Sequence, residues 1–173
     1  MKVLHLFYDA HPEAIEDNLI EAFFDGLPEE MQDFINAQRT YARLARDSTL
    51  MSTRDEYGQV PLHRALRDNG TLGSIKLLVQ GDRDAVLYPD YDDDALPLHV
   101  ACYHHESSKV VDYLIGLDPN ALTAVDWDGN TALHLACRGA KYDTIALLLE
   151  KYNAVSVSKT NGHNKLPIHL LLE

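Results

Sequence analysis

Nine histidines, two cysteines and 27 carboxylates are the side chains of this 173-residue chain best suited to moving protons or holding metal ions. Four of the histidines close near-copies of one phrase: Pro61-Leu62-His63-Arg64-Ala65, Pro97-Leu98-His99-Val100-Ala101, Ala132-Leu133-His134-Leu135-Ala136 and Pro167-Ile168-His169-Leu170-Leu171. They recur at intervals of 36, 35 and 35 residues. Side chains repeated at such an interval occupy equivalent places in successive units, so they share no common site. Each can bond backbone of a neighbouring turn instead, and the pattern predicts structural histidines in a stacked array whose units cover one another's apolar faces.

The other reactive groups read the same way. Cys102 and Cys137 each follow a repeat histidine by three residues. Equivalent positions in adjacent repeats lie roughly 8 to 10 Å apart, the helix-packing distance, which is beyond disulfide reach. Both are expected to be reduced, small core residues of an intracellular protein, cytoplasmic or nuclear. A metal set from His99, Cys102, His104 and His105 is disfavoured, because the first two should face inward while the last two lie near a helix end, and no C-x-x-C pair exists. The stretch from Tyr88 to Asp94 is the most charged of the chain, yet it lacks the spacing of a calcium loop and reads as a solvated acidic tip. No glycine-rich phosphate loop, G-x-S-x-G elbow or H-E-x-x-H motif occurs, so neither enzymatic activity nor a cofactor is expected.

The elements that carry these residues follow from local physics. Proline at 61, 97 and 167 suits a first helical position, where no amide proton is needed, and Leu-x-x-Ala behind it gives an apolar helical face. Gly58, Asp94, Gly129 and Asn164 stand five residues before the four histidines, and these types tolerate left-handed backbone, so a tight turn should precede each helix. Ile75/Leu78/Val79, Val111/Leu114/Ile115 and Ile145/Leu148/Leu149 have the i, i+3, i+4 spacing of a second buried stripe. The unit is turn, short helix, helix.

At this point the chain resembles the ankyrin repeat family. Thr131-Ala132-Leu133-His134-Leu135-Ala136 matches the family's T-P-L-H-x-A motif with one change, and Asp126-Trp127-Asp128-Gly129-Asn130-Thr131 looks like its D-x-x-G-x-T hairpin. The period exceeds the family's usual length. Val60, Leu96 and Leu166 replace the capping threonine, leaving a threonine–histidine contact expected only at Thr131/His134. The family's Gly-His pair before the second helix is also missing, which predicts irregular corners. The resemblance implies an all-α, helix-turn-helix solenoid of four to five repeats with short hairpin loops.

One domain, 1–173, is expected, divided into a half repeat at 1–15, a degenerate repeat at 16–50, three clear repeats over 51–160 and an uncapped partial repeat at 161–173. Leu4, Phe7 and Tyr8 suggest that the chain starts in mid-repeat, a strand over 3–8 being the alternative. In 16–50, Leu19, Ile20, Phe23 and Phe24 form a short stripe ended by Gly26. A long helix should then run from about 28 to about 46, with Met31, Phe34, Ile35, Tyr41, Ala42 and Ala45 inward. Arg39, Arg43 and Arg46 would satisfy its negative pole, a basic docking stripe being the alternative.

By resemblance, such units bind proteins through hairpin tips and exposed first-helix positions. Carried over residue by residue, the contact positions are Glu56, Tyr57, Gln59, Arg67 and Asp68, then Asp92, Asp93, Ala95, Tyr103 and His104, then Trp127, Asp128, Asn130 and Arg138. Tyr57, Tyr103 and Trp127 are of the amphipathic type enriched at binding hot spots. Net charge is −12, so nucleic-acid backbone should be repelled and a partner with a basic surface steered in. No apolar run is long enough to span a membrane. The alternative function is a structural subunit, or an internal segment of a larger assembly, docking or self-associating through the open ends.

Overall fold

The computed structural model describes residues 29–151 and 157–171, which are helical and contain no strand. The half repeat at 1–15, the stripe at 19–24 with Gly26, and the side chain of Ala45 lie outside the described residues. Helix α1 spans Glu29–Arg46, with Arg43 and Arg46 in its last turn, as its dipole favours. Phe34, Ile35, Tyr41 and Ala42 are buried and Met31 half-buried. A short α2, Ser48–Met51, follows.

Paired helices then alternate. The first, inner helices are α3 (Pro61–Arg67), α5 (Pro97–His104), α7 (Ala132–Arg138) and α9 (Pro167–Leu170). The second, outer helices are α4 (Leu72–Gly81), α6 (Ser108–Leu117) and α8 (Tyr142–Lys151). Inner helices pack on one another in sequence and outer helices do the same, with α1 heading the outer row against α4. The stripes of α4 and α6 are buried throughout. That of α8 is not: Leu148 is buried and Ile145 half-buried, but Leu149 is 48% exposed. Among the described residues α8 meets an outer helix on one flank only.

Each inner helix follows a tip, at residues 55–59, 90–95, 126–130 and 161–165, closed by a backbone bond between its first and last residues. Asp55, Asp90, Asp126 and Asn161 open the tips, and the Oδ1 of each accepts the amide of the tip's last residue at 2.7–3.1 Å, an Asx-turn use of short polar side chains. Left-handed backbone falls where the sequence places it, at Gly58, Asp94, Gly129 and Asn164. The second tip carries one extra residue, which accounts for the 36-residue interval between His63 and His99.

The corners between inner and outer helices are irregular, as the missing Gly-His pair predicts. His105 occupies one of them: it is 1% exposed, its Nδ1 accepts the Ser107 amide and its Nε2 meets the Gly70 carbonyl at 2.9 Å. At the next corner Ala140 holds φ 51°, a left-handed conformation that costs a residue with a Cβ roughly 1 kcal/mol. Replacing Ala140 by glycine is expected to raise stability by up to about 0.5 kcal/mol, less than the full strain because glycine gains freedom when unfolded. A shift of the urea midpoint to higher concentration, with an unchanged slope, is the expected readout.

Candidate interaction surface

The repeat histidines fix the geometry of the concave side. Each stands third in its inner helix, where its Nδ1 reaches back to the amide just before the helix: Val60, Leu96, Thr131 and Leu166 at 3.1–3.3 Å. The ring thus plays the part of the glutamate in a capping box. Since Nδ1 accepts from an amide, the neutral ring carries its proton on Nε2. That nitrogen donates across the interface to the carbonyl of Ala95, Ala124 or Lys165 in the following tip region, at 3.2, 3.3 and 3.0 Å from His63, His99 and His134. Replacement of threonine at three copies therefore leaves this bond intact; a hydroxyl contact is added only at Thr131, whose Oγ1 lies 2.9 Å from His134 Nδ1.

Burial lowers the pKa of His63, His99 and His134 from the ordinary 6.5, outweighing the bonded carbonyls and nearby aspartates that favour the cation. An unfolded chain takes up protons first, so these rings contribute stability above about pH 6.5 that is lost as pH falls below it. The expected slope approaches 1.4 kcal/mol per pH unit for each ring, a limit of about 4 kcal/mol per unit for three. Chemical denaturation across pH 5–8 should show it, with the slope reduced in a His99→Leu variant. The thiols offer no nucleophile: burial pushes Cys137 up to about 11 and Cys102 higher still.

The tips are knitted to one another by main chain. Tyr91, Trp127 and Gly162 donate their amides to the carbonyls of Tyr57, Asp93 and Asp128 at 2.9, 2.7 and 2.8 Å. Tyr91 lies so close over Gly58 that a Cβ there would meet its ring at 2.2 Å. Arg54 sits under the same ring and that of Tyr88, 5.3 and 5.2 Å from their centroids, and donates to the Gly58 and Pro89 carbonyls. The row of tips is consequently a rigid edge and not a set of independent loops.

Above that edge the exposed aromatics stand out. Trp127 is 81% exposed, Tyr57 49% and Tyr103 37%. Glu56, Arg67, Asp68, Asp92, Asp93 and Arg138 are exposed, and His104 and Asp128 half-exposed. Arg67, Asp93, Tyr103, His104, Asp128 and Arg138 converge around one depression of about 160 Å³ on the concave side. Glu56, Tyr57, Asp92 and Trp127 do not line it. Asp68 lies instead at a larger hollow of about 490 Å³ beside α1 and α3, where its Oδ2 accepts from the Tyr41 hydroxyl at 2.8 Å and from Arg64 Nε at 3.2 Å.

Three expected contact positions are more buried than expected, although Ala95 does line the depression. Gln59, Ala95 and Asn130 are 5%, 7% and 0% exposed, because each closes its tip and folds back against the stack. With its amide oxygen toward the guanidinium, Gln59 accepts from Arg67 at 2.9 and 3.2 Å. Asn130 donates to Asp126 Oδ2 and accepts from Asn161, at 3.0 and 2.7 Å, joining two tips. Asp90, expected in a solvated tip, is 4% exposed, because its Oδ1 turns into the tip it opens and accepts the amides of Asp93 and Ala95 at 3.2 and 3.1 Å. Conversely Tyr91, 67% exposed, was not among the expected contacts: it belongs to the tip with the extra residue, where alignment of repeats loses register.

Paired helices in two rows, with tips projecting beside a concave face, define an α-helical repeat scaffold. The family model for ankyrin repeats matches three copies over residues 62–161, and the chain belongs to the ankyrin repeat family. Ankyrin repeats are generally protein–protein interaction modules and the family is typically non-catalytic. Among the described residues no helix is long and apolar enough to cross a membrane.

Proposed function

We propose that this chain binds a protein partner through the tips and the concave depression, and that the partner presents a basic or extended segment there. The observation that carries the reading is Trp127, 81% exposed on a rigid tip between Asp126 and Asp128. A large indole held in water on an ordered backbone supplies contact area at little ordering cost. The carboxylates around it favour cations and discourage phosphate backbones. The whole chain, 1–173, is taken as the binding unit.

A displayed library of protein segments, selected against the chain, tests this. Selected segments should be enriched in lysine and arginine, bind more weakly as salt rises, and be lost by a Tyr57→Ala, Tyr103→Ala, Trp127→Ala variant of unchanged helicity. Segments retained by that variant would contradict it. A second reading, docking or self-association through the C-terminal end, is favoured by Leu149 and Ile168, 48% and 53% exposed. It predicts association in sedimentation runs that Ile168→Glu abolishes.

A further inference from the structure

The concave depression has two walls of opposite charge. One is made by the tips, where Asp90, Asp93, Asp126 and Asp128 line it; the other by the final residues of α3 and α7, Arg67 and Arg138, with Tyr103 of α5 between them. Arg67, Tyr103 and Arg138 are each seventh in their helices, so stacking sets them in a row. The walls do not neutralise each other. Neither arginine forms an ion pair with a described carboxylate, and of these four aspartates only Asp128 has a basic side chain within ion-pair distance, the His163 ring at 3.6 Å. Asp93 is raised above the ordinary carboxyl value by burial and then by Asp90, Asp126, Asp92 and Asp128, with no cation among the influences on it. Arg67 is held by Gln59 of the first tip, an amide that neutralises no charge and adds no carboxylate to the depression.

We propose that this depression takes an extended segment of a partner protein whose successive side chains alternate in charge, cations toward the tips and anions toward Arg67 and Arg138. An extended chain sends alternate side chains to opposite sides, so alternation matches two facing walls. A purely basic segment would satisfy the aspartates but set its other side chains against two arginines. Like-charge juxtaposition of that kind is what separates wrong partners from right ones. The inference rests on the reading of the concave face as the binding surface, and it names which segments that surface prefers.

The probes are three short synthetic peptides: alternating lysine and glutamate, the same residues in two blocks, and lysine alternating with glycine. Binding is followed by the amide resonances of Asp93, Tyr103, Trp127 and Arg138 at low salt. The alternating peptide should bind about tenfold more tightly than either other peptide, a difference of about 1.4 kcal/mol. An Arg67→Glu, Arg138→Glu variant should lose that preference and favour the lysine–glycine peptide, whereas Asp93→Asn, Asp128→Asn should weaken the alternating peptide without reversing the order. If the lysine–glycine peptide binds the unaltered chain as well as the alternating one, the two-walled selection is wrong while the concave surface stands. If no peptide moves any of these resonances, both are wrong.

Discussion

Replacing His99 by leucine is expected to lower stability by about 3 kcal/mol, although leucine fills much of the same space. The ring is fully buried and serves two backbone groups at once, the Leu96 amide and the Ala124 carbonyl. Its removal leaves a donor and an acceptor without partners, each costing about 1–3 kcal/mol. His169 supplies the control. It accepts the Leu166 amide in the same way but is exposed, so water can replace it and His169→Leu should cost under about 1 kcal/mol. Urea denaturation followed by circular dichroism separates the two. Equal losses would mean that the histidine matters only as a helix cap and that the bond between repeats contributes nothing.

The second large effect concerns binding and not folding. Trp127→Ala is expected to weaken a selected partner segment by about 2–4 kcal/mol, a loss of 30-fold or more, as for an aromatic hot spot. Because the side chain is 81% exposed and the tip is held by its backbone bonds to Asp93 and Asn130, the midpoint of unfolding should move by less than about 0.5 kcal/mol. Calorimetric titration and thermal unfolding of the same preparation give both numbers. A variant that loses binding together with stability would instead place the indole in a structural role against the neighbouring tip.

Much of this was legible in the sequence because repetition supplies its own controls. One His63 in a leucine-rich phrase says little, but four at near-constant interval say that each meets the same surroundings. Gly58, Asp94, Gly129 and Asn164 could be read as left-handed positions for the same reason, and all four are. What could not be read was the side on which a polar residue closes its turn. Gln59 and Asn130 look like exposed amides in a row of variable positions, yet the turn folds them inward, where each finds a partner. Gln38 shows the complementary case. It is a glutamine in a charged helix, fully buried, whose Oε1 accepts the Thr71 amide and the Ser74 hydroxyl at 3.1 and 2.6 Å and so joins α1 to the start of α4. Helical spacing puts position 38 on the inward face of α1, between Ile35 and Tyr41, but it does not reveal the polar partners, which are 33 and 36 residues away.

The concave depression was legible only in part. Arg67, Tyr103 and Arg138 align by counting from each helix start, but the opposing aspartates belong to tips whose lengths differ by one residue. Their approach to the same depression depends on three-dimensional stacking and not on spacing along the chain.

The measurement that bears most directly on the binding role is a titration of the isotope-labelled chain with a segment selected against it, read residue by residue. Shifts concentrated at Tyr57, Asp93, Tyr103, Trp127 and Arg138, with those at Ala140, Leu149 and Ile168 unmoved, are the predicted result. Shifts confined to Leu149 and Ile168, with the indole of Trp127 unperturbed at saturation, would contradict it and place the partner at the end of the stack.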